Sequence, residues 1–243
     1  AIVAGIARGC EIAGCALVGG ETAEHPGLLA SNEYDVAGAG TGVVEADRLL
    51  GAERVRSGDV AIAMASSGLH SNGYSLARRV LLGDGGPGLT AYIDDLGRTV
   101  GEEMLEPTRI YAQDCLDLVD HVDVHAISHI TGGGIAANLA RVLPAHLAIE
   151  VDRSTWTPPP VFALISSLGV ERAEMERTFN MGMGMVAIVD ATAAGNAIAR
   201  LRDRGVPSWP CGVVRERRDG DAGDAEAKGG GGGAAFVLGQ HPA

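Results

Sequence analysis

The 243 residues suffice for one large domain or two small ones with a real core, and 46% apolar with 21% charged residues is the composition of a folded globular protein. With 31 acidic against 19 basic residues the net charge is −12, which disfavours a general nucleic-acid or anionic-membrane binder, since either needs an electropositive face. Lys228 is the only lysine, which excludes a P-loop lysine, a Schiff base and a kinase-type Lys–Glu pair, and leaves phosphate chemistry to arginine, backbone N–H groups or metal ions.

Ile2, Val3, Ile6, Ala7, Cys10 and Ala13 recur at helical spacing and predict a helix over 2–14. It begins without a capping residue, so the sequence reads as the C-terminal part of something longer. A short strand is expected over 15–18, a polar loop over 21–32, and a long Val- and Gly-rich strand over 33–46. The charged stretch 47–58 marks a boundary, dividing the chain into 1–50 and 57–243. Beyond it strands are expected over 59–65, 122–130, 147–152, 183–190, 211–217 and 235–238. Helices are expected over 73–82 (capped by Asn72), 108–119, 135–143, 160–168 and 191–204, with a Gly-rich loop over 83–99. Residues 219–233 are low in complexity and read as a disordered loop. This alternation argues for an α/β or α+β fold rather than a sandwich.

Cysteines at 10, 15, 115 and 211 form no C-x-x-C pair, against a zinc knuckle or thioredoxin-like site, and reduced thiols are the default. No apolar run reaches membrane-spanning length and no signal-peptide pattern opens the sequence, so a cytoplasmic setting is expected. Thr131-Gly132-Gly133-Gly134 joins a strand to a helix, and its amides are a candidate phosphate seat made without lysine; a tight packing turn fits it equally. In the run from Ser66 to Ser75, His70 is the candidate acid/base or charge stabiliser at a strand's C-terminal end. Glu21 and Thr22 follow Gly19-Gly20 at a strand end, where a carboxylate suits Mg²⁺ beside a nucleotide phosphate; a solvated loop is the simpler reading. His121, His125 and His129 lie four apart, but on a strand that spacing is about 13 Å, too far for one metal. The Met- and Gly-rich segment 179–185 reads as a core strand with close backbone packing.

Six stretches, LVGGETAE (17–24), EYDVAGAGTGVVE (33–45), GDVAIAMASSGLHSNGYSL (58–76), EPTRIY (106–111), VDVHAISHITGGGIAANLARVLP (122–144) and RTFNMGMGM (177–185), together resemble the phosphoribosylformylglycinamidine cyclo-ligases, also called aminoimidazole ribonucleotide synthetases, over residues 1 to about 217. The resemblance implies two α/β domains, a mixed sheet with flanking helices, and a homodimer formed through the first domain. It implies conversion of formylglycinamidine ribonucleotide and ATP to aminoimidazole ribonucleotide, ADP and phosphate, through a phosphoryl imidate and with Mg²⁺. It further implies no nucleic-acid or membrane partner. On this map residues 1–50 end the ATP-binding, dimerising domain, with Glu21 and Thr22 near ATP and Mg²⁺. His70, Asn72 and His129 would be catalytic, and Thr131, Gly132, Gly133 and Gly134 would hold the substrate phosphate. His25 stands where the family pattern suggests an apolar residue, and the family's N-terminal half is absent. A truncated, non-catalytic ribonucleotide binder is the rival from another class. Selenophosphate synthetase, thiamine-phosphate kinase and formylglycinamidine ribonucleotide synthetase are the rivals among related enzymes.

Overall fold

The computed structural model describes residues 1–30, 32–227 and 229–242; Lys228 lies outside them. The chain divides into two compact units, Ala1–Leu49 and Leu50–Ala243.

The first unit holds one long helix, α1 (Ile2–Ala13), ended by Gly14 in the left-handed conformation. The strands expected over 15–18 and 33–46 are not formed: residues 15–18 and 33–45 run as irregular chain, Ala46 opens a short 3₁₀ turn, and the one ladder contact among the unit's described residues is an isolated bridge between Pro26 and Leu29. Strand-forming residues make a strand only when a neighbour completes the hydrogen-bond ladder, and none is paired with these stretches among the described residues. Their apolar side chains stay in solvent, with Val18 95% and Val43 98% exposed.

The second unit is a mixed sheet with helices on both faces. Its elements are β1 (Val60–Ala65), α2 (Tyr74–Leu82), the two-residue strands β2 (Tyr92–Ile93) and β3 (Arg98–Thr99), α3 (Val100–Met104), α4 (Ala112–His121), β4 (Val124–His129), α5 (Gly134–Ala140), β5 (Leu147–Asp152), α6 (Pro160–Ser167), α7 (Arg172–Thr178), β6 (Met183–Val189), α8 (Ala194–Asp203), β7 (Ser208–Glu216) and β8 (Ala234–Leu238). The main sheet runs β4-β6-β1-β7-β5-β8. All its neighbours are antiparallel except β5 and β8, which are parallel.

Alternation along each central strand decides which face a side chain serves. Ala61, Ala63, Val186 and Ile188 point into a large core with Leu76, Leu139, Phe162 and Phe179. Ile62, Met64, Ala187 and Val189 point into a smaller core with Leu118 of α4 and Leu201 of α8. Because both faces are covered, β1 and β6 read as continuous apolar runs.

Several expectations shift in detail. The helix after Pro107 starts at Ala112, because residues 105–111 are tied into the loop cluster described below. The loop 83–99 contains the β2–β3 hairpin, and α3 carries a capping box made by Thr99 and Glu102. Helix α7 has no counterpart in the sequence reading. The described residues of 219–233 hold no helix or strand, but the stretch is not detached: Asp221 pairs with Arg215 at 2.5 Å, and Asp224 accepts the Val237 N–H at 2.7 Å. Of the three histidines four apart, His121 belongs to the last turn of α4, where Nδ1 lies 2.8 Å from the Asp117 carbonyl oxygen. His125 is buried on β4, with Nδ1 2.7 Å from Asp59.

Candidate functional site

Antiparallel pairing brings four segments to one end of the sheet. The C-terminal ends of β1 and β4 face the start of β6, because Ala65 pairs with Met183 and His129 with Met185. The N-terminal end of β7 lies there too, with Ser208 opposite Met64. The loops 66–73, 130–133 and 179–182 therefore converge, and residues 105–111 close over them.

His70 sits at the centre. It is 2% exposed and holds a left-handed backbone with φ 56°. Met181, with φ 51°, is the only other described non-glycine residue with positive φ, so the uncommon backbone collects in these two loops. Asn180, fully buried, fixes both: its Nδ2 donates to the carbonyls of Gly68 at 2.9 Å and Leu69 at 3.2 Å, and its Oδ1 accepts the Gly182 N–H at 2.8 Å. Ser67 Oγ donates to the Pro107 carbonyl at 2.7 Å and accepts the Arg109 N–H at 3.1 Å, which pins residues 105–111 to the β1–α2 loop. The Tyr111 hydroxyl donates to the Ala65 carbonyl at 2.7 Å, and its ring lies 6.2 Å from the His70 ring. Both rings press on Gly184, where a Cβ would overlap Tyr111 Oη and crowd His70 Cε1.

The Ser67 N–H donates to His70 Nε2 at 3.0 Å. Burial, with repulsion from His129 and Arg109, pushes the imidazole pKa from 6.5 down to about 4. The ring is therefore neutral at pH 7. With Nε2 accepting, its proton resides on Nδ1, a buried nitrogen without a partner in the protein. The ring is thus set up to donate a hydrogen bond, not to accept a proton.

Asn72 does not cap α2, whose N-cap is Gly73 with no side-chain bond. Its Oδ1 accepts the Gly132 N–H at 3.1 Å, joining the two motifs across sixty residues of chain. The Gly132 amide of the expected phosphate seat is thus already bonded within the protein. Gly133 N–H donates to the Arg177 carbonyl and Gly134 N–H to the Thr131 carbonyl, each at 3.1 Å, so all three glycine amides have acceptors within the protein. Gly134 is required for packing: with φ 71°, a Cβ there would overlap the Glu176 carbonyl of α7. Asn138 braces the turn from inside, donating to the carbonyls of Thr131 at 3.1 Å and Gly134 at 2.7 Å. His129 is exposed at the end of β4.

A cleft of about 670 Å³ opens beside the turn, lined in part by Gly133, Ile135, Arg153, Trp156, Arg177 and His241. Its arginines are engaged. Arg153 spans Glu176 through Nε at 2.8 Å and Nη2 at 2.7 Å, and also donates to the Val237 carbonyl. Arg177 pairs with Glu174, and Arg172 donates to Gln240 at 2.6 Å. His70 and Asn72 do not line this cleft.

Glu21 and Thr22 are exposed residues of irregular chain in the first unit. Among the described residues no group of three or more His, Cys, Asp or Glu side chains is placed to hold a metal. Mg²⁺ needs near-octahedral oxygen ligation, and Glu21 as placed here does not fit that demand.

Residues 56–224 match the family model described as AIR synthase related protein, C-terminal domain. A putative phosphoribosylformylglycinamidine cyclo-ligase of Streptomyces fradiae is 58% identical over 175 residues, covering 71% of this chain and 95% of that protein. This chain belongs to the phosphoribosylformylglycinamidine cyclo-ligase family. The cyclo-ligase of Sorangium cellulosum (strain So ce56) is 51% identical over 217 residues, covering 88% of this chain and 62% of the relative. The chain thus spans about three fifths of that cyclo-ligase. Among solved structures, thiamine-monophosphate kinase from Stenotrophomonas maltophilia K279a matches 82% of this chain and 56% of its own at 15% identity with a TM-score of 0.52, a likeness of fold alone. Among the described residues no helix is long and apolar enough to cross a membrane.

Sequence reasoning found His70 and Asn72 but missed Ser67, Tyr111 and Asn180. Ser67 lay inside the quoted polar run. Asn180 was the one amide in an apolar Met–Gly segment, a polar side chain whose burial demands partners.

Proposed function

We propose that a protein of the relatives' full length carrying this sequence catalyses the ATP-dependent ring closure of formylglycinamidine ribonucleotide to aminoimidazole ribonucleotide, with ADP and phosphate. The supporting observation is the 58% identity to a protein described as a putative cyclo-ligase, of which this chain covers 95%. Reaction through a phosphoryl imidate, use of Mg²⁺, homodimer formation and a cytoplasmic setting belong to the same proposal. The described residues do not gather the oxygen ligands that Mg²⁺ needs. The substrate side is assigned to the loop cluster of the second unit.

In this reading His70 is a neutral Nδ1–H donor that stabilises negative charge developing on the substrate, its tautomer set by the Ser67 amide. Asn72 and Gly132 act as one unit. A substrate phosphate at Thr131–Gly134 would reach the Gly132 amide only by displacing the Asn72 carbonyl. His129, exposed at the rim, meets the substrate from the β4 side.

The first test is turnover. This chain and a full-length protein carrying it are each supplied with formylglycinamidine ribonucleotide, Mg²⁺ and ATP. Product from the full-length protein supports the reaction, and its failure while folded overturns it. Product from this chain alone would show that the family's N-terminal half is dispensable and would overturn its assignment to ATP binding. In the full-length protein, His70→Ala is expected to lower kcat by roughly a hundredfold with little change in the KM for ATP, the loss typical of one preorganised donor. Unchanged kcat removes His70 from the mechanism.

A second reading is favoured by the share of length: the chain covers 62% of the Sorangium relative and its first unit buries no side chain of α1. In that reading the chain binds a phosphorylated ribonucleotide without turnover. Titration calorimetry separates the two, by heat of ribonucleotide binding without ATP hydrolysis.

A further inference from the structure

Helix α1 ends in a way that brings two thiols together. Gly14 adopts φ 71°, its N–H donates to the Glu11 carbonyl at 3.2 Å, and the next N–H, of Cys15, donates back to the Cys10 carbonyl at 3.0 Å. This is the double-bonded Schellman ending, in which the residues at the two ends of the longer bond place their side chains in contact. That contact is ordinarily between apolar residues; here both are cysteines. Partial burial and the interaction with Cys15 push the Cys10 thiol up, in keeping with that placement. Cys15 is exposed and Cys10 half-buried, which gives one accessible thiol and one sheltered partner.

We propose that Cys10 and Cys15 are a reversible dithiol–disulfide pair, a redox modification site whose closure staples the C-terminal end of α1. The oxidant is a low-molecular-weight disulfide such as glutathione disulfide. The Cys15 thiolate attacks one sulfur of it, forming a mixed disulfide and releasing one glutathione thiolate. The Cys10 thiolate then attacks Cys15 Sγ, forming the internal S–S bond and releasing the second. Two thiol protons pass to the solvent or to the departing thiolates, the protein loses two electrons, and the glutathione disulfide gains them. The other two cysteines serve as internal controls. Burial pushes Cys115 up to about 11 and Cys211 up to about 12, where thiolate is scarce at neutral pH. The site is independent of the reaction proposed above.

The test incubates this chain with glutathione disulfide at neutral pH, quenches with a maleimide and reads tryptic masses. Arg8 and Arg48 are flanking cleavage sites with no Lys or Arg between them, so both cysteines fall in one peptide. The expected product is that peptide lighter by two hydrogens, unlabelled, and restored to two labels by dithiothreitol. Cys10→Ser should stop at the glutathione adduct on Cys15. Closure in urea should be roughly tenfold slower, because the folded helix ending supplies the proximity. A wild-type chain that stops at the mixed disulfide, or that closes as fast in urea as in buffer, overturns the proposal. Retained helicity by circular dichroism confirms that the buffer measurement reports the folded chain.

Discussion

The two units draw on the same kinds of apolar residues and leave them in opposite states. In residues 1–49, Leu17 is 50% exposed and Val43 98%; in residues 50–243, Ile62 and Phe179 are fully buried. The difference is one of partners, not composition. β1 lies between β6 and β7 and has a core on each face, so its alternating residues are covered whichever way they point. Among the described residues the expected strands of the first unit have no neighbouring strand, and Val18, Val36, Val43 and Val44 are exposed. An apolar pattern thus specifies which face wants burial, and the structure must still supply what buries it.

This contrast is open to direct attack. The sharpest blow is Phe179→Ala. Its ring is buried 5.9 Å from that of Phe162, and its loss is expected to cost about 3–5 kcal/mol, read as a lower urea midpoint for the second unit. A change below about 1 kcal/mol would mean that this core is not packed as described.

The next effect is a dependence on pH. His70 has its pKa lowered from 6.5 to about 4 by folding, so the unfolded chain binds the extra proton first as pH falls. The associated stability is fully present above pH 6.5 and is lost progressively as pH falls through 4. The expected loss is roughly 3 kcal/mol. His70→Asn, a residue that tolerates the left-handed backbone, should remove this part of the acid destabilisation. Urea titrations of both proteins between neutral pH and the acid limb check it, and an identical slope in the variant refutes the buried neutral imidazole.

Smaller still is Asn72→Ala. It removes the acceptor of the Gly132 amide and is expected to cost roughly 1–2 kcal/mol, unless water or a phosphate takes that place. Stability of the variant with and without inorganic phosphate separates the two readings of the turn: recovery by phosphate supports a latent seat, and none supports a packing turn. The least effect is expected in the first unit, where Val43→Ala should move stability by no more than about 0.5 kcal/mol. A larger loss would show that Val43 is covered.

The particular residues explain what was readable in the sequence. The central strands β1 and β6 were found because both-sided burial makes them continuous apolar runs. Helix α6 was marked by Pro160 at its start. Helix α7 was not found, because Met175 is its one buried residue and the rest of RAEMERT carries no apolar stripe. His70 was legible as a residue type in a suitable place. Its neutral state was not, since the Ser67 amide, the Tyr111 ring and the surrounding burial are assembled by folding.

The sequence by itself determined the family motifs, the α/β alternation and the absence of any lysine from the candidate site. Those are properties of residue identity and local spacing. Tertiary structure alone decided that Asn72 holds Gly132 instead of capping a helix and that the glycine amides are already occupied. Each of these depends on which distant acceptor, ring or strand arrives at a given place, and local spacing carries no record of that arrival.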